Sequence, residues 1–182
     1  MDNGASSYRR FLDGDEAAFD DIMRELFDNL VFFIYRYVKD THAAEDIAID
    51  TFSDLVVHKS RYNFKVTLKT YLFMIGRSRA LNYIKRRNHI VMTPLEESMK
   101  ADDCSSLEDI VLADTRARVI NSAVDRLPDD MRAAVHLVYF EELSYEQAAK
   151  VMKKNKKQID NLLYRAKKEL RTILGKEGEL LL

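Results

Sequence analysis

The apolar residues between Asp15 and Tyr37 recur at steps of three and four positions, which is the spacing of one face of an α-helix. The residues of this stripe are Phe19, Ile22, Met23, Leu26, Phe27, Leu30, Phe33 and Ile34. The chain has only five glycines and two prolines in 182 residues, whereas an all-β protein needs turn residues about every 8–12 positions. No strand-like alternation interrupts the helical spacing, so the sequence predicts an all-α protein.

Two further helices are predicted in the first half of the chain. Asp40 and Thr41 are candidate N-caps of a helix over 42–58, with Glu45 and Asp46 in its first turn. Its predicted inner face consists of Ala44, Ile47, Ala48, Thr51, Phe52 and Leu55. After a less regular segment, a third helix is predicted over about 68–87. Its predicted buried residues are Leu72, Ile75, Leu81 and Ile84.

The pattern changes after residue 90. Residues 91–115 contain a proline, a serine pair and seven acidic residues against one lysine, and they show no helical stripe. We interpret this stretch as an acidic linker between two small helical domains, residues 1–90 and 116–182. In the second domain Pro128 is placed to start a helix. That helix continues through Met131, Ala134, Val135, Val138 and Tyr139.

The net charge of −1 hides a strong segregation of charge along the chain. Residues 1–58 carry 13 acidic and 5 basic residues, whereas residues 59–90 carry 9 basic residues and no acidic residue. Residues 91–130 return to 10 acidic against 4 basic residues, and residues 131–182 hold 11 basic against 7 acidic ones. Because the Debye length is only about 8 Å in physiological salt, each basic block acts locally and is a candidate binding surface for nucleic acid.

The second basic block has the pattern of a helix-turn-helix. Ser144 is a candidate cap of a short helix in which Ala148 and Ala149 are small enough for another helix to cross closely. Asn155 is placed to cap the next helix. The predicted buried stripe of that helix is Ile159, Leu162, Leu163, Ala166 and Leu170.

The outward face of this last helix carries the candidate DNA contacts of the second domain. They are Asn155, Lys156, Lys157, Gln158, Asn161, Tyr164, Arg165 and Lys168. Lysines there suit phosphates, while Gln158, Asn161 and Arg165 suit base edges in the major groove. The alternative is a helical hairpin with a solvated lysine face, because Lys153 stands where the turn usually has a glycine.

The first basic block mixes cations with aromatic rings. Beside Lys59, its cations are Arg61, Lys65, Lys69, Arg77, Arg79, Lys85, Arg86 and Arg87, and its rings are Tyr62, Phe64, Tyr71, Phe73 and Tyr83. Cations bind the nucleic-acid backbone and rings stack on unpaired bases, while Ser78 and Asn82 add hydrogen-bonding groups. The mixture therefore favours single-stranded or melted nucleic acid. The alternative is that about half of these rings are core, Phe73 and Tyr83 first among them.

Several classes of protein are disfavoured. The four histidines, His42, His58, His89 and His136, show no metal-ligand spacing with Cys104, the one cysteine. We place His42 and His58 at helix ends and His136 on a helix surface. No glycine-rich phosphate loop or nucleophile motif is present. We therefore expect no enzymatic activity, cofactor or metal. Without an apolar run of about 18 residues or a signal segment, we expect a cytoplasmic protein with no membrane insertion.

Three segments in order carry a family resemblance. AAEDIAIDTFSDLV is similar to an A-E-D-(apolar)₂-Q-E-x-F helix, and TLKTYLFMIGRSRALNYIKRR to a W-L-(aromatic)-x-I-A-x-N-x-A helix that ends in R-R. RLPDDMRAAVHLVYFEELSYEQAAKVM and the residues after it are similar to an L-P-x-x-x-R helix followed by a helix-turn-helix. Together they resemble the bacterial RNA polymerase sigma factors of the extracytoplasmic-function class, which keep the family's second and fourth regions.

The resemblance implies a function and a set of roles. Such a protein binds core RNA polymerase, directs it to promoters and helps to melt the DNA for transcription initiation. The polymerase-binding residues would be Glu45, Asp46, Ile49, Asp50 and Asp54. The residues binding the −10 element, including a flipped base of the non-template strand, would be Arg61, Tyr62, Phe64, Lys65, Lys69, Tyr71, Arg77, Ser78, Asn82, Lys85 and Arg86. The outward residues of the last helix would bind the −35 element, and the linker would run through the polymerase. An anti-sigma factor is left open as a further partner.

The sequence also departs from the family pattern at several positions. Tyr71 replaces the usual tryptophan, Ser78 the usual asparagine and Ile49 the usual glutamine. Asp160 stands in the predicted −35 helix where it would repel phosphate. A dimeric repressor that reads only duplex DNA could share the helix-turn-helix, but it has no need of the basic and aromatic block.

Overall fold

The computed structural model describes residues 4–91 and 115–175, and these form two compact units that are described separately. Within those ranges every regular element is a helix, which confirms the all-α prediction. The first unit contains α1 (Ala5–Leu12), α2 (Ala17–Val38), α3 (Thr41–Val57), a 3₁₀ turn (Lys59–Arg61) and α4 (Leu68–Val91). The second contains α5 (Thr115–Asp125), α6 (Asp129–Val135), α7 (Tyr145–Met152) and α8 (Lys156–Leu174). Most of the predicted linker, residues 92–114, lies outside the described residues.

Of the two candidate N-caps of α3, Asp40 is the residue that caps the helix. The carboxylate of Asp40 accepts a hydrogen bond from the backbone N–H of Ala43 at 2.9 Å, as an N-cap does. The prediction that Glu45 and Asp46 lie in the first turn is wrong, because the helix starts at Thr41 and that turn holds no acidic residue. All six residues of the predicted inner face are buried.

The inner face of α4 differs from the prediction. Leu72 and Phe73 are fully buried, but Leu81 is 39% exposed. The buried line instead passes through Gly76 and Ala80. The reason is close packing on α2: a Cβ built on Gly76 would lie 2.9 Å from the Cδ1 of Leu30. Gly76 and Ala80 were not among the predicted buried residues of this helix, so the predicted face was rotated.

The first helix, α1, has no counterpart among the predicted helices. It is eight residues long, too short for its periodicity to stand out in sequence. Its Tyr8 is fully buried and its Phe11 is 8% exposed, so the helix is anchored to the rest of the unit by two aromatic rings.

In the second unit, Arg132 fixes the turn between α5 and α6. Its guanidinium donates hydrogen bonds to the carbonyl oxygens of Asp125 at 3.0 Å and Leu127 at 3.3 Å, and to the carboxylate of Asp129. Pro128 is the N-cap residue of α6, as its predicted place at a helix start requires. The guanidinium replaces the hydrogen bonds that the carbonyl groups of the turn cannot make within a helix.

The segment after α6 corrects another prediction. His136 is 1% exposed rather than on a helix surface, and its Nε2 lies 3.1 Å from a carboxylate oxygen of Glu141, itself 4% exposed. Residues His136–Phe140 form a wide π turn, in which Tyr139 is 63% exposed. His136 is buried because the helix is enclosed on every side, with each residue from Met131 to Leu137 buried. The apolar spacing alone gave no sign of this wide turn.

The helices α7 and α8 form the predicted helix-turn-helix. Each begins with a capping box, in which Ser144 pairs with Gln147 and Asn155 with Gln158. Lys153 ends α7 in the left-handed conformation, with φ 54° and ψ 44°, which is the conformation that glycine usually supplies at this turn. The predicted buried stripe of α8 is confirmed for Ile159, Leu163, Ala166 and Leu170, while Leu162 is half-buried.

No helix in the described ranges is both long enough and apolar enough to cross a membrane.

Candidate nucleic-acid interface

The loop before α4 is organised around aromatic rings. The ring centroid of Tyr62 lies 4.6 Å from that of Phe64, 5.0 Å from that of Tyr71 and 5.4 Å from that of Tyr8. The hydroxyl of Tyr62 donates to the carbonyl oxygen of Val66 at 2.7 Å, which closes the loop on itself. Tyr62 is therefore 3% exposed and forms the inner wall of the loop, whereas Phe64 and Tyr71 are half-buried at its surface.

Two tyrosines of this group stay neutral over the physiological range. Burial raises the pKa of Tyr8 from 10.0 to about 12, with the neighbouring Tyr71 and Tyr62 adding to the effect. Burial also raises the pKa of Tyr71, and the nearby Asp54 carboxylate adds to it. Tyr71, which is half-buried at the surface, thus presents a neutral ring that suits stacking on a base, whereas Tyr8 is buried behind it.

The cations of α4 fall into two groups. The arginines of the first group bind other side chains or backbone of the same unit. Arg77 donates from Nε to the hydroxyl of Tyr37 at 3.2 Å, and Arg87 donates to a backbone carbonyl of α2 at 3.4 Å. Arg79 pairs with the carboxylates of Asp54 at 2.8 Å and Asp50 at 3.5 Å. These three arginines hold the helices of the unit together. Arg77 was also a candidate DNA contact, and the hydrogen bond to Tyr37 uses only the Nε–H of its guanidinium.

The second group of side chains faces solvent at the end of α4. Asn82, Lys85 and Arg86, all candidate DNA contacts, line one open groove together with Asn88 and His89. Asn82, Lys85 and Arg86 are exposed. Of the remaining candidates, Arg61 and Lys65 are exposed, while Lys69 and Ser78 are half-buried. The sequence did not single out Asn88 or His89, although both follow the R-R end of the motif.

The predicted polymerase-binding residues of α3 differ in their exposure. Asp46, Ile49 and Asp50 are exposed, and Ile49, an aliphatic side chain 51% exposed, is the apolar member of the group. Glu45 is half-buried. Asp54 is tied to the basic block, because its carboxylate lies 2.8 Å from Arg79, 3.3 Å from Arg61 and 3.6 Å from His58. Asp54 therefore connects the two predicted surfaces.

In the second unit, α8 presents its predicted residues outward. All eight candidates are exposed: Asn155, Lys156, Lys157, Gln158, Asn161, Tyr164, Arg165 and Lys168. Two of them also build the helix, since the Asn155 carboxamide oxygen accepts from the N–H of Gln158 at 2.8 Å and the Gln158 oxygen from the N–H of Asn155 at 2.8 Å. The capping box thus uses one lone pair of each amide oxygen and none of the side-chain N–H groups of these two residues.

One acidic residue near this face was missed. The ammonium of Lys156 donates to the Glu146 carboxylate at 2.6 Å, across the turn between α7 and α8. This hydrogen bond lowers the pKa of Glu146 and raises the pKa of Lys156. Lys154, at the turn, likewise pairs with Asp130 at 3.0 Å. Both partners come from other elements, so helical spacing within α8 could not reveal them.

Comparison with known proteins gives two family matches. A model described as Sigma-70 region 2 matches residues 22–90, and a model described as Sigma-70, region 4 matches residues 117–170. The two ranges together take in more than half of the chain. They fall on the first and the second structural unit respectively.

Whole-chain relatives agree. The ECF RNA polymerase sigma factor SigM of Bacillus subtilis is 24% identical over 86% of this chain and 95% of its own length. The ECF RNA polymerase sigma factor SigE of Mycolicibacterium smegmatis is 30% identical over 91% of this chain and 66% of its own length.

Among solved structures, the sigma factor RpoE in complex with the anti-sigma factor NepR from Bartonella quintana has a similar fold. The TM-score is 0.67 at 21% identity, over 86% of this chain and 96% of the other. CnrH in complex with the cytosolic domain of CnrY has a TM-score of 0.63 at 18% identity, over 94% of each chain. The two region matches and the whole-chain relatives show that the protein belongs to the sigma-70 family, as an extracytoplasmic-function sigma factor that directs promoter-specific transcription initiation with RNA polymerase.

Proposed function

We propose that the two units divide the work of promoter recognition. Residues 1–90 bind the polymerase and the −10 element, residues 116–182 bind the −35 element, and residues 91–115 join them. The observation that carries this division is the segregation of charge: residues 59–90 hold nine cations and no acid, while the other basic block forms the exposed face of α8. The basic block at 59–90 lies in the unit matched by region 2, and the basic face of α8 lies in the unit matched by region 4.

At the −10 element, the loop and α4 together bind DNA that has opened. The exposed cations Arg61, Lys65, Lys85 and Arg86 contact phosphates, and Asn82 offers its amide to an exposed base edge. Phe64 and Tyr71, half-buried at the surface, stack on the base that leaves the duplex. Buried Tyr62 supports these rings from behind rather than meeting the base itself.

On the polymerase, the exposed face of α3 makes the contact. Ile49 supplies the apolar centre, and the carboxylates of Asp46 and Asp50 form an acidic surround that suits a basic partner surface. At the −35 element, α8 enters the major groove, with Lys156, Lys157 and Lys168 on phosphates. Asn161 and Arg165 then face base edges.

We further infer a cytoplasmic protein that performs no chemistry itself, because the polymerase forms the phosphodiester bonds. An anti-sigma factor is a candidate regulator, since both similar solved structures are complexes with a partner protein, and one of them is a sigma factor bound to an anti-sigma factor by name. Such a partner would compete with polymerase for exposed faces of either unit.

The test begins with reconstituted holoenzyme and run-off transcription on genomic fragments, which identifies a promoter. On that promoter, Asn82→Ala should lower open-complex formation about tenfold, because a lost base-edge contact costs about 1–3 kcal/mol. Co-purification with core polymerase should be unchanged. The matched control is Asn29→Ala, an exposed asparagine on α2 outside the basic block. Equal loss of polymerase binding, or tight sequence-specific binding to closed duplex without polymerase, would contradict the proposal.

A further inference from the structure

The helix α1 lies before residue 22, where the region 2 match begins, yet it contacts the proposed base-binding loop directly. The hydroxyl of Tyr8 donates to the carbonyl oxygen of Leu55 at 3.0 Å and lies 3.2 Å from that of Lys59. These two carbonyl groups lie near the end of α3 and at the start of the loop. The buried hydroxyl of Tyr8 therefore fixes the backbone where the loop begins.

The loop contains a residue in an unusual conformation. Phe64 has φ 59°, in the left-handed region that a bulky side chain rarely adopts. Such a conformation persists only when surrounding contacts hold it, and residues of this kind are enriched at functional sites. Here the surrounding contacts are known, since the Phe64 ring lies 4.6 Å from Tyr62 and 6.1 Å from Tyr8, centroid to centroid.

The remaining contact of the Phe64 ring comes from a cation. The guanidinium carbon of Arg9, on α1, lies 4.9 Å from the ring centroid, within the range of a cation–π interaction. Arg9 is exposed, as is the next residue, Arg10. Arg10 is engaged elsewhere, however, because it pairs with Asp15 at 2.6 Å. Arg9 thus contacts the ring of Phe64 in the loop, whereas Arg10 contacts a carboxylate outside the loop.

We propose that α1 completes the base-binding site, with Arg9 as a positioning residue that orients the ring of Phe64 for stacking on an unpaired base. Tyr8 fixes the loop, and Arg9 fixes the ring at its surface. The inference rests on the proposed function of the loop, and it adds to that function a residue that neither matched region contains. The ligand class is an unstacked DNA base within a cationic surface.

The experiment uses holoenzyme and the promoter found by run-off transcription, in two forms. One form is fully paired, and the other carries mismatches that leave its −10 element open in advance. Binding of both probes is measured by fluorescence anisotropy for wild type, Arg9→Ala, Arg9→Lys and the matched control Arg10→Ala. The same measurements are made with Phe64→Gly, which accepts the left-handed conformation, and with the Arg9→Ala, Phe64→Gly double variant.

Arg9→Ala should weaken binding of the pre-opened probe about threefold relative to Arg10→Ala, and Arg9→Lys should restore much of the loss. In the Phe64→Gly background the Arg9→Ala change should have no further effect, because the two residues act as one unit. Polymerase binding should be unchanged throughout.

The inference is overturned if Arg9→Ala and Arg10→Ala bind the open probe equally, or if Arg9→Ala costs the same with and without the Phe64 ring. It is overturned too if Arg9→Ala weakens polymerase binding to the same extent. The proposed function would fail differently, since wild-type holoenzyme would then show no preference for the pre-opened probe over the paired one.

Discussion

Replacing Lys153 by glycine should stabilise the second unit. Lys153 ends α7 with φ 54° and ψ 44°, and the N–H of the next residue donates to the carbonyl of Ala149 at 2.9 Å, so the conformation is built into the turn. A side chain in the left-handed region costs about 1–2 kcal/mol, which glycine does not incur. Glycine also raises the conformational entropy of the unfolded chain, and this lowers the free energy of unfolding by about 0.4–1 kcal/mol. The net expectation is about 0.5–1 kcal/mol of added stability.

Because the two units can unfold separately, hydrogen exchange followed by mass spectrometry on peptides from α7 and α8 is the suitable assay. Their slowest amides should exchange about two- to fivefold more slowly in Lys153→Gly, which corresponds to the same free energy. Two control variants separate strain from charge. Lys153→Ala removes the ammonium but keeps the left-handed side chain, so it should give no gain. Lys150→Gly makes the same substitution within α7 and should destabilise the unit by up to about 1 kcal/mol.

The reasoning fails if Lys153→Gly exchanges as fast as wild type or faster. It also fails if Lys153→Ala is as protective as Lys153→Gly, because loss of the positive charge would then explain the gain.

Three further outcomes are expected. Arg132→Met should lower the free energy of unfolding by about 1–3 kcal/mol in urea titrations, since loop carbonyls lose their donor, whereas the exposed Arg126→Met should change it by less than about 0.5 kcal/mol. Because the pKa of Tyr8 rises from 10.0 to about 12 on folding, the folded state keeps the proton longer; stability should fall as pH rises from 10 to 12, and Tyr8→Phe should flatten that part of the curve. Glu146→Gln frees Lys156 for phosphate, so holoenzyme should bind promoter duplex about two- to fivefold more tightly, with a steeper salt dependence.

Each of these has a result that would contradict it. Equal destabilisation by the two arginine variants would remove the special role of the buried guanidinium. An unchanged alkaline profile in Tyr8→Phe would place the titrating group elsewhere. Unaltered affinity and salt slope in Glu146→Gln would mean that Lys156 does not reach the DNA.

Much of the candidate site could be read from residue types and spacing. The exposed face of α8 follows from the stripe of Ile159, Leu163 and Ala166, because the positions opposite that stripe face away from the core on a helix packed along one side. The acid-free block at 59–90 could likewise be found by counting charges. Neither inference needs a contact between distant residues, so both were accessible from the sequence.

Contacts between elements were not accessible in this way. Asp54 was assigned to the polymerase face, and its ties to Arg79 and Arg61 appear only when α3 and α4 lie side by side. Tyr62 was expected at the surface, but Tyr8, 54 positions earlier in the chain, packs against its ring. His136 was placed on a helix surface because it lies off the apolar stripe, but neighbouring helices bury every residue from Met131 to Leu137.

The sequence by itself determined that this protein is helical, in two units, with two cationic faces, because periodicity and local charge are properties of short segments. The tertiary structure decided which cations pair within the fold and which face solvent. It also decided which aromatic rings are buried and which are exposed at the loop, and that α1 packs against that loop. The physical reason is that ion pairs, ring contacts and burial depend on side chains brought together from remote positions, and their distances are set by helix packing rather than by spacing along the chain.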